Sequence, residues 1–150
     1  MPTPERFTEL LNEFAACIGQ AEMPTGEHGV CSFLVDERVL VNIGQDSSGN
    51  ELIIFAPLGA PPEEHHSTWQ VRMLRANGAG GGAYVLGMAP ASDTAIISSR
   101  RPLVSLNGPA LANWVEEFVG VAKHWLDAFA RKIEPEANSA AMPADAWLHV

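Results

Sequence analysis

Apolar positions along the chain switch between two spacings, and the switches divide it into elements. Phe7, Leu10, Leu11, Phe14 and Ile18 recur every three or four residues. That spacing predicts an amphipathic helix from about Pro4 to Ile18, with Pro4 in its first turn and Thr3 as a candidate cap. Gly19 stops it, and the polar stretch QAEMPTGEHG follows as a loop. Three runs rich in Val, Ile, Leu and Phe come next: VCSFLVD, RVLVNIGQD and ELIIFAPLG. Joined by Asp36-Glu37 and by Asp46-Ser47-Ser48-Gly49-Asn50, they predict an antiparallel meander. Pro61-Pro62-Glu63-Glu64 opens a second helix with acids at its positive end; Trp69, Met73, Leu74 and Ala76 give it a short apolar stripe, and Asn77-Gly78 ends it. AYVLGM and TAIISSR predict a second hairpin. The longest pattern runs through Leu111, Trp114, Val115, Phe118, Val121, Ala122, Trp125, Leu126 and Phe129, with Asn107 as cap and Pro109 in the first turn. After Ile133 the periodicity is lost.

The order is therefore α-β-β-β-α-β-β-α, an α+β arrangement in which the long last helix covers one face of a strongly bent antiparallel sheet. Residues 1–133 are expected to form one domain and residues 134–150 a flexible C-terminal tail. The second and third strands are apolar on both alternations: Val39, Val41 and Ile43 with Leu40, then Leu52 and Ile54 with Ile53 and Phe55. A sheet with one wet face would alternate cleanly. Either the chain's own helices cover both faces, or one face is kept for a partner.

Composition narrows the classes. The chain has 150 residues, enough for one core, and 47% hydrophobic with 18% charged residues is the balance of a soluble globular protein. No apolar run is long enough to span a bilayer, and MPTPERFTELL lacks the basic start and apolar stretch of a secretory leader. Nine Lys and Arg against eighteen Asp and Glu leave a formal charge of −9, which repels a phosphate backbone and argues against nucleic acid. Cys17 and Cys31 form no metal-ligand spacing and sit in apolar surroundings, so buried reduced thiols are expected.

Candidate chemistry is thin. NGAGGGAY holds G-x-G-x-x-A, the spacing of a phosphate loop, but its flanks run from helix to strand, the reverse of what such a loop needs, and no Lys-Ser or Lys-Thr follows. It is read as a connector. His65-His66 are adjacent, so on a helix they diverge and cannot ligate one metal from one face; Glu63-Glu64 and Glu116-Glu117 are read as solvated. Ser98-Ser99 have no nucleophile elbow around them. No catalysis, metal or cofactor is expected.

In their order, FTELLNEFAACIG, GVCSFLVDERVLVNI, LIIFAPLG, MLRAN, YVLGM and RRPLVSLNGPALANWVEEFVGVAKHW resemble the class I type III secretion chaperones of the CesT (Tir chaperone) family. With the small size and a pI near 4.9, the likeness covers Phe7 to about Phe129; the Gly-rich insert and the tail have no counterpart in it. The resemblance implies a cytoplasmic bacterial homodimer that binds the N-terminal segment of a secreted effector, keeps it secretion-competent and delivers it to the export apparatus, with the secretion ATPase as a further partner. It also implies an absence of catalysis, and virulence as the setting. On this likeness the effector-binding candidates are Phe7, Leu10, Leu11, Phe14, Phe33, Val39, Val41, Ile43, Ile53 and Phe55. The dimer candidates are Trp69, Met73, Ala76, Tyr84, Leu86 and Ile96. A regulatory or adaptor domain of the same architecture is the alternative, and an unrecognised small hydrolase a more distant one.

Overall fold

A computed structural model of the chain describes residues 4–26, 28–78 and 83–131. Thr3, the centre of the Gly-rich insert and the segment 134–150 lie outside the described residues. Helix α1 spans Pro4–Cys17, strands β1, β2 and β3 span Cys31–Val35, Val39–Gln45 and Glu51–Gly59, and α2 spans His66–Asn77 after a short 3-10 turn. Strands β4 and β5 span Val85–Met88 and Ala95–Pro102, and α3 spans Gly108–Ala130. The five strands form one antiparallel sheet in the order β1-β2-β3-β5-β4. The meander and the second hairpin are thus present, with β5 inserted between β3 and β4.

Each element ends for a local reason. The Asn107 side chain accepts from the Ala110 N–H at 2.9 Å and opens α3, with a proline in the first turn. Gly78, at positive φ, closes α2 as its N–H reaches the Leu74 carbonyl at 3.2 Å. Pro57 is tolerated within β3 because the pairing with β2 has already ended at Phe55, so its missing N–H breaks no ladder there. A register shift between Pro57 and Gly59 bends the strand at the same point.

One strand parity faces the helices. Cys31, Val39, Val41, Ile43, Leu52, Ile54, Ala56, Leu58, Ala95 and Ile97 are buried against Phe7, Leu10, Leu11 and Phe14 of α1 and Leu111, Trp114, Val115, Phe118 and Val119 of α3. At the bottom of this core the Trp114 Nε1–H donates to the Ser99 hydroxyl at 3.1 Å, and that hydroxyl donates to the Ala83 carbonyl at 2.7 Å. The Trp114 indole and the Ser99 hydroxyl are thereby satisfied, whereas the Trp69 Nε1–H, also buried, finds no partner among the described residues. Gly108 lets α3 start directly on α1: a Cβ there would lie 2.8 Å from the Glu13 Cβ. Arg6 tightens the same corner, donating to the Glu13 carboxylate and the Leu106 carbonyl at 2.9 Å each.

Among the described residues the opposite parity has no helix over it. Leu34, 59% exposed, pairs in register with exposed Leu40, and half-buried Ile53, Phe55 and Ile96 continue the apolar surface toward exposed Val85. Among the described residues the doubly apolar strands are therefore covered by the chain's own helices on one face only. Both cysteines are free as expected, but Cys17 is exposed and only Cys31 is buried; Cys17 sits in the last turn of α1, past the stripe that meets the core.

Candidate functional site: a groove beside an open sheet edge

The two edges of the sheet differ. On β4 the Asn77 side chain accepts from the Leu86 N–H at 2.7 Å and donates to the Leu86 carbonyl at 2.8 Å, so an amide from α2 occupies the hydrogen-bonding positions another strand would need. On β1 the first residues are occupied too: Thr25 bridges Cys31, and the Gly26 N–H reaches the Val30 carbonyl at 2.9 Å. Since Val30 faces away from β2, backbone alternation turns Ser32 and Leu34 the same way. The Val35 carbonyl, one residue out of phase, instead bonds the Arg38 N–H within the hairpin. Leu34 is left with its backbone open to the side, without a partner there among the described residues.

Beside that open edge lies a groove of about 1140 Å³. It is bounded by β1, the last turn of α1 and the loop after it, and one stripe of α3, which packs on α1, β2 and β3. Phe14 and Phe33, with ring centroids 5.8 Å apart, form its apolar floor with Val35, Met23, Val115 and Val119. The α3 wall presents Ala112, Glu116, Gly120 and Lys123.

Two ion pairs close one end. Asp36 and Arg38, in the β1–β2 turn, pair with Lys123 and Asp127, one helical turn apart on α3. The hydrogen bond and charge of Lys123 hold the Asp36 carboxyl below the usual carboxylate range. These contacts anchor a turn whose Asp36 and Glu37 both sit at positive φ, 52° and 59°, a backbone that non-glycine residues adopt at a cost.

Placed on this geometry, the expected effector residues divide. Phe33 lines the groove, with Phe14, itself core at 1% exposure, beneath it, and Ile53 and Phe55 lie half-buried on the uncovered sheet face. Phe7, Leu10, Leu11, Val39, Val41 and Ile43 are core: they belong to the strand parity and helix stripe that meet each other, and in this chain they offer no surface to a partner. Leu34, Met23, Ile18 and the α3 wall, absent from the expected set, line the groove instead. The sharing of one strand parity by Leu34 with Ser32 and Asp36, and a glycine inside a strongly helical stretch, were the available signals.

The expected dimer residues divide likewise. Trp69 is buried inside the chain against Phe129 and Trp125 of α3, with centroids at 4.8 and 6.4 Å, because α3 extends far enough to cover α2. Met73 and Leu86 are also buried, and Tyr84 leans on Phe118. Ala76 is exposed and Ile96 half-buried; the apolar side chains that α2 leaves in water are Val71 and Leu74. His65 and His66 are half-buried rather than solvated, with His66 Nε2 3.0 Å from the Pro61 carbonyl. Ser99 is fully engaged by Trp114 and Ala83, and among the described residues no three His, Cys, Asp or Glu side chains stand together to hold a metal.

A model of the Tir chaperone protein (CesT) family matches residues 9–126. The chain belongs to this family. The matched stretch contains the groove, the open edge and nearly all of α3. Solved structures of low identity share its fold. The Yersinia pestis type III secretion chaperone SycH, in complex with a stable fragment of YscM2, is 22% identical with a TM-score of 0.63, covering 79% of this chain and 98% of that one. The HopA1–SchA chaperone–effector complex gives 15% identity and a TM-score of 0.71, covering 84% and 99%. The same fold also occurs in Escherichia coli YbjN, a candidate transcription regulator, at 12% identity and a TM-score of 0.59, covering 86% and 93%. The fold by itself therefore does not fix a function; the family match does so, at the level of a chaperone of the Tir chaperone protein (CesT) family. A search of curated proteins finds no match to the chain. Among the described residues no helix is long and apolar enough to cross a membrane.

Proposed function

We propose that this chaperone acts in the bacterial cytoplasm, without catalysis, by holding an N-terminal segment of a secreted effector in extended form along β1. The open Leu34 edge beside the groove carries the reading. An added strand gains main-chain hydrogen bonds there, and its alternate side chains enter an apolar floor. The other half of its side chains meets Leu34 and Leu40 on the uncovered face. The blunted β4 edge leaves β1 as the place for strand addition among the described residues.

A second copy of the chain is the proposed partner for α2, whose Val71 and Leu74 stand exposed on a helix that packs on β4, the sheet edge opposite β1. Delivery to the export apparatus, including its ATPase, follows as the last step of the same role. The adaptor alternative predicts the same fold with no cargo. Calorimetry with the N-terminal segment of a secreted protein encoded beside this chain's gene separates the two. Binding that falls at least tenfold in Leu34→Asp, with the circular dichroism of the free protein unchanged, is expected, because an unpaired carboxylate in the occupied groove costs about 2 kcal/mol or more. Equal binding by Leu34→Asp contradicts the placement.

A further inference from the structure

Gly120 lies in the interior of α3, a helix of 23 residues. A glycine there is less favourable than an alanine, and helices normally accept it when a neighbour needs the space. Gly108 at the start of the same helix is such a case, since a Cβ would meet Glu13. Gly120 is the opposite: a Cβ built on it meets nothing within 4 Å. The chain's own packing does not require it, yet it stands in the groove wall one turn from Lys123, level with the end of β1 that Asp36 ties to that lysine.

The charges around it are unbalanced. The groove is lined by Glu22, Asp36 and Glu116 against Lys123, and Lys123 is already paired with Asp36. Glu116 and Glu22 remain, exposed, and Glu116 lies one helical turn before Gly120 on the same stripe. An occupant therefore meets a notch in the helix wall with an uncompensated carboxylate beside it.

Building on the proposed cargo role of this groove, we infer that Gly120 is a close-approach notch for the cargo strand and that Glu116, with Glu22, selects a segment carrying a Lys or Arg next to the apolar residue seated there. The partner is thus an extended, apolar peptide with a basic residue on its groove-facing side. Glutamate at rim exposure contributes to selectivity more than to affinity, whereas the notch acts by shape. A side chain added at Gly120 would stand where the cargo backbone or its seated residue lies.

The test uses the full chain and a random 12-residue peptide library displayed on phage. Peptides selected on the native protein are expected to carry an excess of Lys and Arg over Asp and Glu, to protect the exposed Cys17 thiol of the groove from iodoacetamide, and to bind Gly120→Leu about tenfold more weakly or worse. Glu116→Lys is expected to reverse the charge preference. Gly120→Ala supplies the opposite-sign control: its melting temperature should rise by about 2–4 °C while peptide affinity falls. If no peptide is enriched, or enriched peptides leave Cys17 unprotected, the groove reading itself fails and this inference with it. If they protect Cys17 but bind Gly120→Leu and Gly120→Ala as well as the native chain, or show no basic excess, the groove reading stands and the inference is overturned.

Discussion

Single residues carry opposite demands in this chain, and glycine shows it best. Gly108 is required by a helix contact, so Gly108→Ala must push α3 off Glu13; a loss of about 1–3 kcal/mol is expected by urea unfolding. Glu37 is the reverse case, an exposed residue at φ 59°. Glu37→Gly should raise stability by about 1 kcal/mol, provided the two ion pairs beside it keep the turn in place. Acid variants sort the apolar positions by where they lie. Leu11 and Val41 are buried in the core, so Leu11→Asp and Val41→Asp should unfold the protein rather than only weaken cargo binding. Leu34→Asp should leave the circular dichroism spectrum intact. The thiols follow the same rule: burial pushes Cys31 up to about 11, which keeps it protonated and inert, while Cys17 stands in the groove.

At the scale of elements, the turns between strands are held by carboxylates, which makes the sheet sensitive to acid. Asp46 accepts from the Glu51 N–H at 3.1 Å and from Ser48 at 2.8 Å, and these bonds lower its pKa; Lys123 does the same for Asp36. A carboxyl whose folded pKa is depressed stabilises the fold above its unfolded pKa and loses that contribution as pH falls through the lower folded value. Unfolding monitored from neutral pH down through the carboxylate range should therefore show stability falling, and Asp46→Asn should flatten that slope. Asn77→Ala removes both bonds to Leu86 and should cost about 1–2 kcal/mol, while freeing the β4 edge for non-native pairing. The elements themselves were legible in the sequence because period 3.6 and period 2 are local properties. Which strand parity faces the core was not. Leu40 and Val41, or Ile53 and Ile54, are equally apolar, and only the docking of α1 and α3 on one side decides between them. Trp69 escaped for a related reason: the residues that cover it, Trp125 and Phe129, are more than fifty positions away. Asn77 was readable as a helix end but not as the group that blunts a sheet edge.

At the scale of the whole molecule, α2 beside β4 and the groove beside β1 stand at opposite edges of the sheet, and each is assigned its own partner. Val71 and Leu74 are assigned to a second copy, so light scattering at micromolar concentration should give twice the 16.1 kDa chain mass. Leu74, 69% exposed, is the residue whose change to Glu should return the single-chain mass without unfolding it. The groove and the Leu34 edge are assigned to the effector. Strand addition makes a claim that other modes of binding do not, because it places a hydrogen bond on a backbone group that is open in the free protein. Amide hydrogen exchange at Leu34, followed by NMR with and without the effector's N-terminal segment, reads that group directly. Fast exchange is expected in the free protein and a slowing of about tenfold to a hundredfold in the complex, with the Leu86 amide, already bonded to Asn77, unchanged. A complex of measurable affinity in which the Leu34 amide exchanges as fast as before would contradict strand addition at β1.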